Sequence, residues 1–168
     1  HYQSISRPSH SGHRSFIPHL QAGGTDRVNL PRITAMPLLK ITTSDAATVL
    51  HGSTAPLLSV LRDTLAAHNG PIILMVHGYS YKPGVPGRCP HDTLFADHPD
   101  GAGISWPRHL GLRGQPDEGL GLSFGWPASG TIWQAHRRAA IAGQALADLL
   151  MDIRALAPTR PIHAVGHS

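Results

Sequence analysis

The chain has 168 residues, 40% of them hydrophobic, enough for one domain core, and carries a formal net charge of +4. Most of that charge sits in residues 1–35, where Arg7, Arg14, Arg27 and Arg32 face only Asp26; the remainder is nearly neutral, with no basic stripe interleaved with aromatics, which argues against a nucleic-acid partner. No apolar run has the length of a membrane span, and the single cysteine, Cys89, excludes an intrachain disulfide and fits a reducing, cytoplasmic setting.

Residues 1–35 are rich in Ser, His, Arg and Gly and lack apolar periodicity. They read either as a disordered N-terminal extension or as a non-native tail ahead of a start at Met36, and not as a signal peptide, because no apolar core follows the positive charges. The run from Met36 to Thr43 reads as a first edge strand. From Ala55 to His68 the residues Leu57, Leu58, Leu61 and Leu65 share one face of a short amphipathic helix, with Pro56 in its first turn and Asn69-Gly70 at its end. Pro71-Ile72-Ile73-Leu74-Met75-Val76 is continuous and β-branched-rich, as expected of a strand covered on both faces, and runs directly into His77-Gly78-Tyr79-Ser80.

The segment from Ser80 to Glu118 is irregular and rich in Gly and Pro, and a loop of that length inside a domain usually carries function or local structure. Its Trp106, Leu110 and Leu112 either line a substrate pocket or, for Trp106, pin the loop to the sheet. Gly119 to Trp126 alternates small with apolar residues and reads as another strand, stopped by Pro127. A long helix follows, capped by Ser129 or Thr131. Ile132, Trp133, Ile141, Ala142, Ala145, Leu146, Leu149, Leu150, Ile153 and Leu156 recur at helical spacing, so most of one face is expected to be buried. Pro158 ends it, and Pro161 to Val165 reads as a short strand leading to Gly166-His167-Ser168. Strand, helix and strand in this order imply a parallel crossover, with the final strand in the same sheet as Ile72–Val76.

The order of strand and His77-Gly78-Tyr79-Ser80, long loop, strand with Trp126-Pro127, Ala/Leu helix and a strand closing on Gly166-His167-Ser168 resembles the α/β-hydrolase superfamily, of serine esterase and lipase type. The resemblance covers roughly residues 36–168. It implies a three-layer α/β fold with a mostly parallel sheet and flanking helices, incomplete at the C-terminus. It also implies that Ser168 is the nucleophile, standing at the front half of a Gly-x-Ser-x-Gly elbow, and that the Tyr79 backbone N–H is an oxyanion-hole donor. The family's acid and histidine follow the nucleophile in chain order. The chain is therefore expected to be the N-terminal part of a hydrolase domain, inactive as it stands.

Supporting roles fall to Gly78 for close backbone approach, to Gly166 for the sharp turn from strand into helix, and to His77 for bracing the oxyanion loop through a side-chain hydrogen bond. His167 either shapes the pocket or faces solvent. The thirteen histidines invite a metal reading, with Cys89, His91, Asp92 and His98 as the densest cluster, but the spacing is not that of a zinc motif, and no metal or cofactor is assigned. The expected function is hydrolysis of a carboxylic ester or related acyl bond through an acyl-enzyme, on a small-molecule ester or lipid substrate, without nucleic acid or an integral membrane segment and with the oligomeric state open. A non-catalytic binding or scaffold protein of the same fold, and a His-rich metal-binding module, are the alternatives.

Overall fold

A computed structural model describes residues 36–98, 103–115 and 117–167; the expected N-terminal extension, 1–35, lies outside the described residues. The elements in chain order are β1 (Leu38–Ser44), β2 (Ala47–Leu50), α1 (Leu57–Ala67), β3 (Ile72–Val76), α2 (Trp106–His109), β4 (Leu120–Gly125), α3 (Ile132–Leu156) and β5 (Ile162–Gly166). The five strands form one sheet in the order β2-β1-β4-β3-β5. Only the β1–β2 pair is antiparallel; β1–β4, β4–β3 and β3–β5 are parallel.

The fully buried β4 shows how the layers arise. Its Leu120, Leu122 and Phe124 point to one face, where they pack with Ile41, Ile72 and Leu74 against Leu61 and Leu65 of α1 and Ala142, Leu149 and Ile153 of α3. Each large apolar side chain buried there contributes roughly 1.5–3 kcal/mol. The alternate residues Gly121, Ser123 and Gly125 face the other way, and their smallness lets the long loop close on the sheet: a Cβ at Gly121 would sit 2.6 Å from Leu112 Cδ1. On that second face Met75, Phe95 and Leu112 form a smaller core, flanked by Trp106, Leu110 and Ile73.

One expectation about the strands needs correction. The strand from Met36 is not the edge: β1 is paired on both sides, and the outer position belongs to β2, whose four residues mix exposed and buried positions too briefly to register as a strand. The strand Ile162–Gly166 does lie beside Ile72–Val76, in parallel register with Val76 opposite Gly166.

The helices are partly as read. In α1, Leu61 and Leu65 are buried, but Leu58 is half exposed, because the contact stripe is narrower than the leucine run. Thr131 caps α3: its hydroxyl accepts from the Gln134 N–H while the Gln134 side chain accepts from the Thr131 N–H. The buried stripe of α3 runs through Ala135, Ala142, Ala145, Leu149 and Ile153, whereas Ile132, Trp133 and Ile141 are exposed. Alanines set this stripe because they let the helix axis approach the sheet; the larger residues at the start of the helix stand clear of it. Arg160 closes the base of the sheet, its guanidinium donating to the carbonyl oxygens of Leu65 (2.9 Å) and Gly70 (2.5 Å) beyond the end of α1. Among the described residues no helix is long and apolar enough to cross a membrane.

Candidate functional site

β3 and β4 are parallel neighbours whose outgoing connections leave on opposite faces, β3 into the long loop and β4 into α3. Such a divergence opens a crevice at the carboxyl ends of the strands, the usual ligand position in an open α/β sheet. Here it holds a cleft of about 450 Å³ lined by His77, Gly78, Tyr79, Trp126, Ile132 and His167, among others. That volume lies in the range of small-molecule sites, and its walls are mainly apolar, with Phe124, Ala139 and Leu146 at its side.

His77, the first residue past β3, is buried and uses both ring nitrogens. Nδ1–H donates to the Gly78 carbonyl (2.9 Å) and Nε2 accepts the Trp126 backbone N–H (3.0 Å). Burial holds its pKa below the ordinary histidine value, which keeps the ring neutral and consistent with this one-donor, one-acceptor arrangement. Trp126 is its main side-chain partner and donates a second bond as well, from the indole N–H to the His77 carbonyl (3.1 Å). The sequence reading missed that partner; the Trp-Pro after β4 was its only local signal.

Beyond Gly78 the chain is tied to the segment after β4. Ser80 N–H donates to Ala128 O (3.0 Å), Ala128 N–H donates to Tyr81 O (2.9 Å), and Tyr79 Oη donates to Gly130 O (2.5 Å). Ser80 holds φ at +77°, a left-handed conformation uncommon for a residue with a Cβ, which turns the backbone back on itself. Tyr79 is partly exposed, and among the described residues its backbone N–H donates to no acceptor. Gly78 and Tyr79 both line the cleft.

On the other side of β3, His167 N–H donates to Val76 O (3.2 Å), extending the β5 register by one residue. The His167 side chain is exposed, borders the cleft and meets Trp106 edge-on at 6.4 Å between ring centroids. Gly166 is not in the left-handed region, and a Cβ there would meet only Val76 O at 3.9 Å, so neither backbone conformation nor crowding among the described residues demands glycine. Ser168 lies outside the described residues. Of the expected pocket residues, Leu112 is fully buried, and Trp106 and Leu110 pack on the same core with Met75 and Phe95; none of the three lines the cleft.

The expected Cys89, His91, Asp92 and His98 grouping is divided. His98 instead meets Asp97 and Arg108 at the surface. His91 is buried against the sheet between Ser123 Oγ (3.1 Å) and Thr42 Oγ1 (3.0 Å), and burial, helped by the positive field of His51 and Lys40, pushes its pKa down to about 3. Cys89 and Asp92 meet His51 instead. No adjacent residues announce that contact, since His51 and Cys89 are far apart in the chain.

Compared with protein-family models, curated proteins and solved structures, the chain matches none.

Proposed function

We propose that residues 36–168 supply the nucleophile and one oxyanion donor of a serine hydrolase of α/β-hydrolase type. The observation that carries this reading is the parallel register of β3 with β5: Val76 stands opposite Gly166, and His167 N–H bonds Val76 O. The two segments singled out in the sequence, His77-Gly78-Tyr79 and Gly166-His167, therefore leave adjacent strands at the same end of the sheet. A Tyr79 N–H that donates to no acceptor among the described residues, on a residue that lines an apolar cleft, is the kind of preorganised donor that stabilises a developing oxyanion.

In this mechanism the Ser168 hydroxyl attacks the carbonyl carbon of an ester, its proton passing to a histidine that the family's chain order places after the nucleophile. The tetrahedral oxyanion draws the Tyr79 N–H, the alcohol leaves with the proton, and water then releases the acyl group. His77 is a positioning residue, neutral and fully engaged, and takes no part in proton transfer. One oxyanion donor is worth about 3–4 kcal/mol of barrier.

The test is hydrolysis of short p-nitrophenyl esters by the gene's full product and by its Ser168→Ala variant. Loss of turnover in a variant with unchanged circular dichroism supports the assignment. Full turnover in the folded variant removes it.

A further inference from the structure

Among the described residues, three metal-ligating side chains meet where the end of β2 faces the long loop. His51 Nε2 lies 3.6 Å from Cys89 Sγ, and these two atoms and a carboxylate oxygen of Asp92 all fall within 4.8 Å of one another. We propose that His51, Cys89 and Asp92 bind one divalent transition cation of the zinc class, a site distinct from the cleft.

The geometry and the ligand chemistry agree. A tetrahedral cation about 2.3 Å from a thiolate sulfur and about 2.0–2.1 Å from an imidazole nitrogen holds those atoms roughly 3.5–3.6 Å apart, the spacing found here. A thiolate, an imidazole and a carboxylate together favour zinc over magnesium or calcium, which take all-oxygen shells. Cys89 is buried, His51 half-buried and Asp92 exposed, so the site has a dry side and a solvent side. Cys89 and Asp92 are held in one turn, Asp92 N–H donating to Cys89 O (3.2 Å) and the Thr93 hydroxyl donating to the same oxygen (2.8 Å).

Behind the ligands stands an orienting chain of hydrogen bonds. His51 Nδ1 meets Thr42 Oγ1 (3.1 Å), which meets His91 Nε2 (3.0 Å), and His91 Nδ1 meets Ser123 Oγ (3.1 Å). With metal on His51 Nε2, Nδ1–H donates to Thr42, the Thr42 hydroxyl donates to His91 Nε2, and His91 Nδ1–H donates to Ser123. Both imidazole N–H groups and the Thr42 hydroxyl then have an acceptor. Outer hydrogen bonds of this kind fix the tautomer and ring direction of a metal-binding histidine. On binding, the sulfur–hydrogen bond of Cys89 breaks and a sulfur–metal bond forms, the proton passing to solvent. Three protein ligands leave a fourth position for water, and the bound ion fastens the long loop to the end of β2.

Cobalt(II) titration of the 168-residue chain tests this. Cys89 is the only cysteine, so a thiolate-to-cobalt charge-transfer band in the near ultraviolet reports this site alone, whatever the histidines of residues 1–35 bind. The expected result is a band saturating at one equivalent, displaced by zinc and absent in Cys89→Ser. Thr42→Val should weaken binding by about 10–100-fold, the range seen when groups supporting a metal ligand are lost, and Asp92→Asn, which replaces a ligand at an exposed position, should weaken it at least as much, while His98→Ala leaves it unchanged. No band at saturating cobalt, or a band with unaltered affinity in both Asp92→Asn and Thr42→Val, overturns the proposal. Ester hydrolysis is not read in this titration, so its outcome is independent of the fate of Ser168.

Discussion

Trp126 donates two hydrogen bonds to His77, its backbone N–H to His77 Nε2 and its indole N–H to the His77 carbonyl, with the two rings stacked at 5.7 Å and 8° apart in tilt. The clasp joins the carboxyl ends of β3 and β4, where their outgoing connections diverge. It therefore sets where Gly78 and Tyr79 stand relative to the cleft.

Removing the imidazole should be costly. His77→Ala leaves the Trp126 backbone N–H without its acceptor, a loss of about 1–3 kcal/mol, and a cavity adds to it. Urea unfolding followed by tryptophan fluorescence should show a midpoint shift of that size. A shift below about 0.5 kcal/mol, the scale of ordinary surface substitutions, would mean that the clasp is not a major tie.

The same ring gives a pH dependence with a definite sign. Burial lowers the folded-state pKa of His77 beneath its unfolded value of about 6.5, so below that pH the unfolded chain binds the proton more readily. His77's contribution is fully present above about pH 6.5 and is lost as the pH falls towards its folded value. His77→Gln should flatten the fall in unfolding free energy as the pH drops below about 6.5. An unchanged slope in the variant contradicts a neutral buried ring.

Two glycines on neighbouring parts of the sheet should respond oppositely to alanine. A Cβ at Gly125 would lie 2.6 Å from His91 Nε2 and 3.0 Å from Pro83 Cγ, so Gly125→Ala must displace the loop layer, at about 1–3 kcal/mol for overpacking. Gly166→Ala meets only Val76 O at 3.9 Å and should stay within about 0.5 kcal/mol of the parent. Thermal melts of the two variants, compared with the parent, check the contrast. Equal destabilisation would show that the strand ends are packed differently.

What was legible in the sequence was what short-range pattern encodes. The Ile72–Val76 run, the alternation of Gly119–Trp126 and the Ala/Leu period before Pro158 each announced an element at or near its observed bounds. That β5 joins β3 in one parallel sheet followed from strand, helix and strand order; that the two are direct neighbours did not, since the helix links β5 to β4. The edge strand did not, because Ala47–Leu50 is too short for a period. Nor did the outward direction of Leu58, Ile132, Trp133 and Ile141, since an apolar residue at helical spacing is buried only where a partner layer reaches it. The pairings that define both sites, His77 with Trp126 and His51 with Cys89, join distant parts of the chain and become visible only once the sheet brings them together.

The proposal that Ser168 is the nucleophile of a serine hydrolase is tested most directly by covalent labelling. The gene's full product, treated with a fluorophosphonate and digested, should carry the adduct on the peptide containing Ser168, and Ser168→Ala should abolish labelling while preserving the cooperative melt. An adduct on another serine, or undiminished labelling of the folded Ser168→Ala variant, contradicts the account.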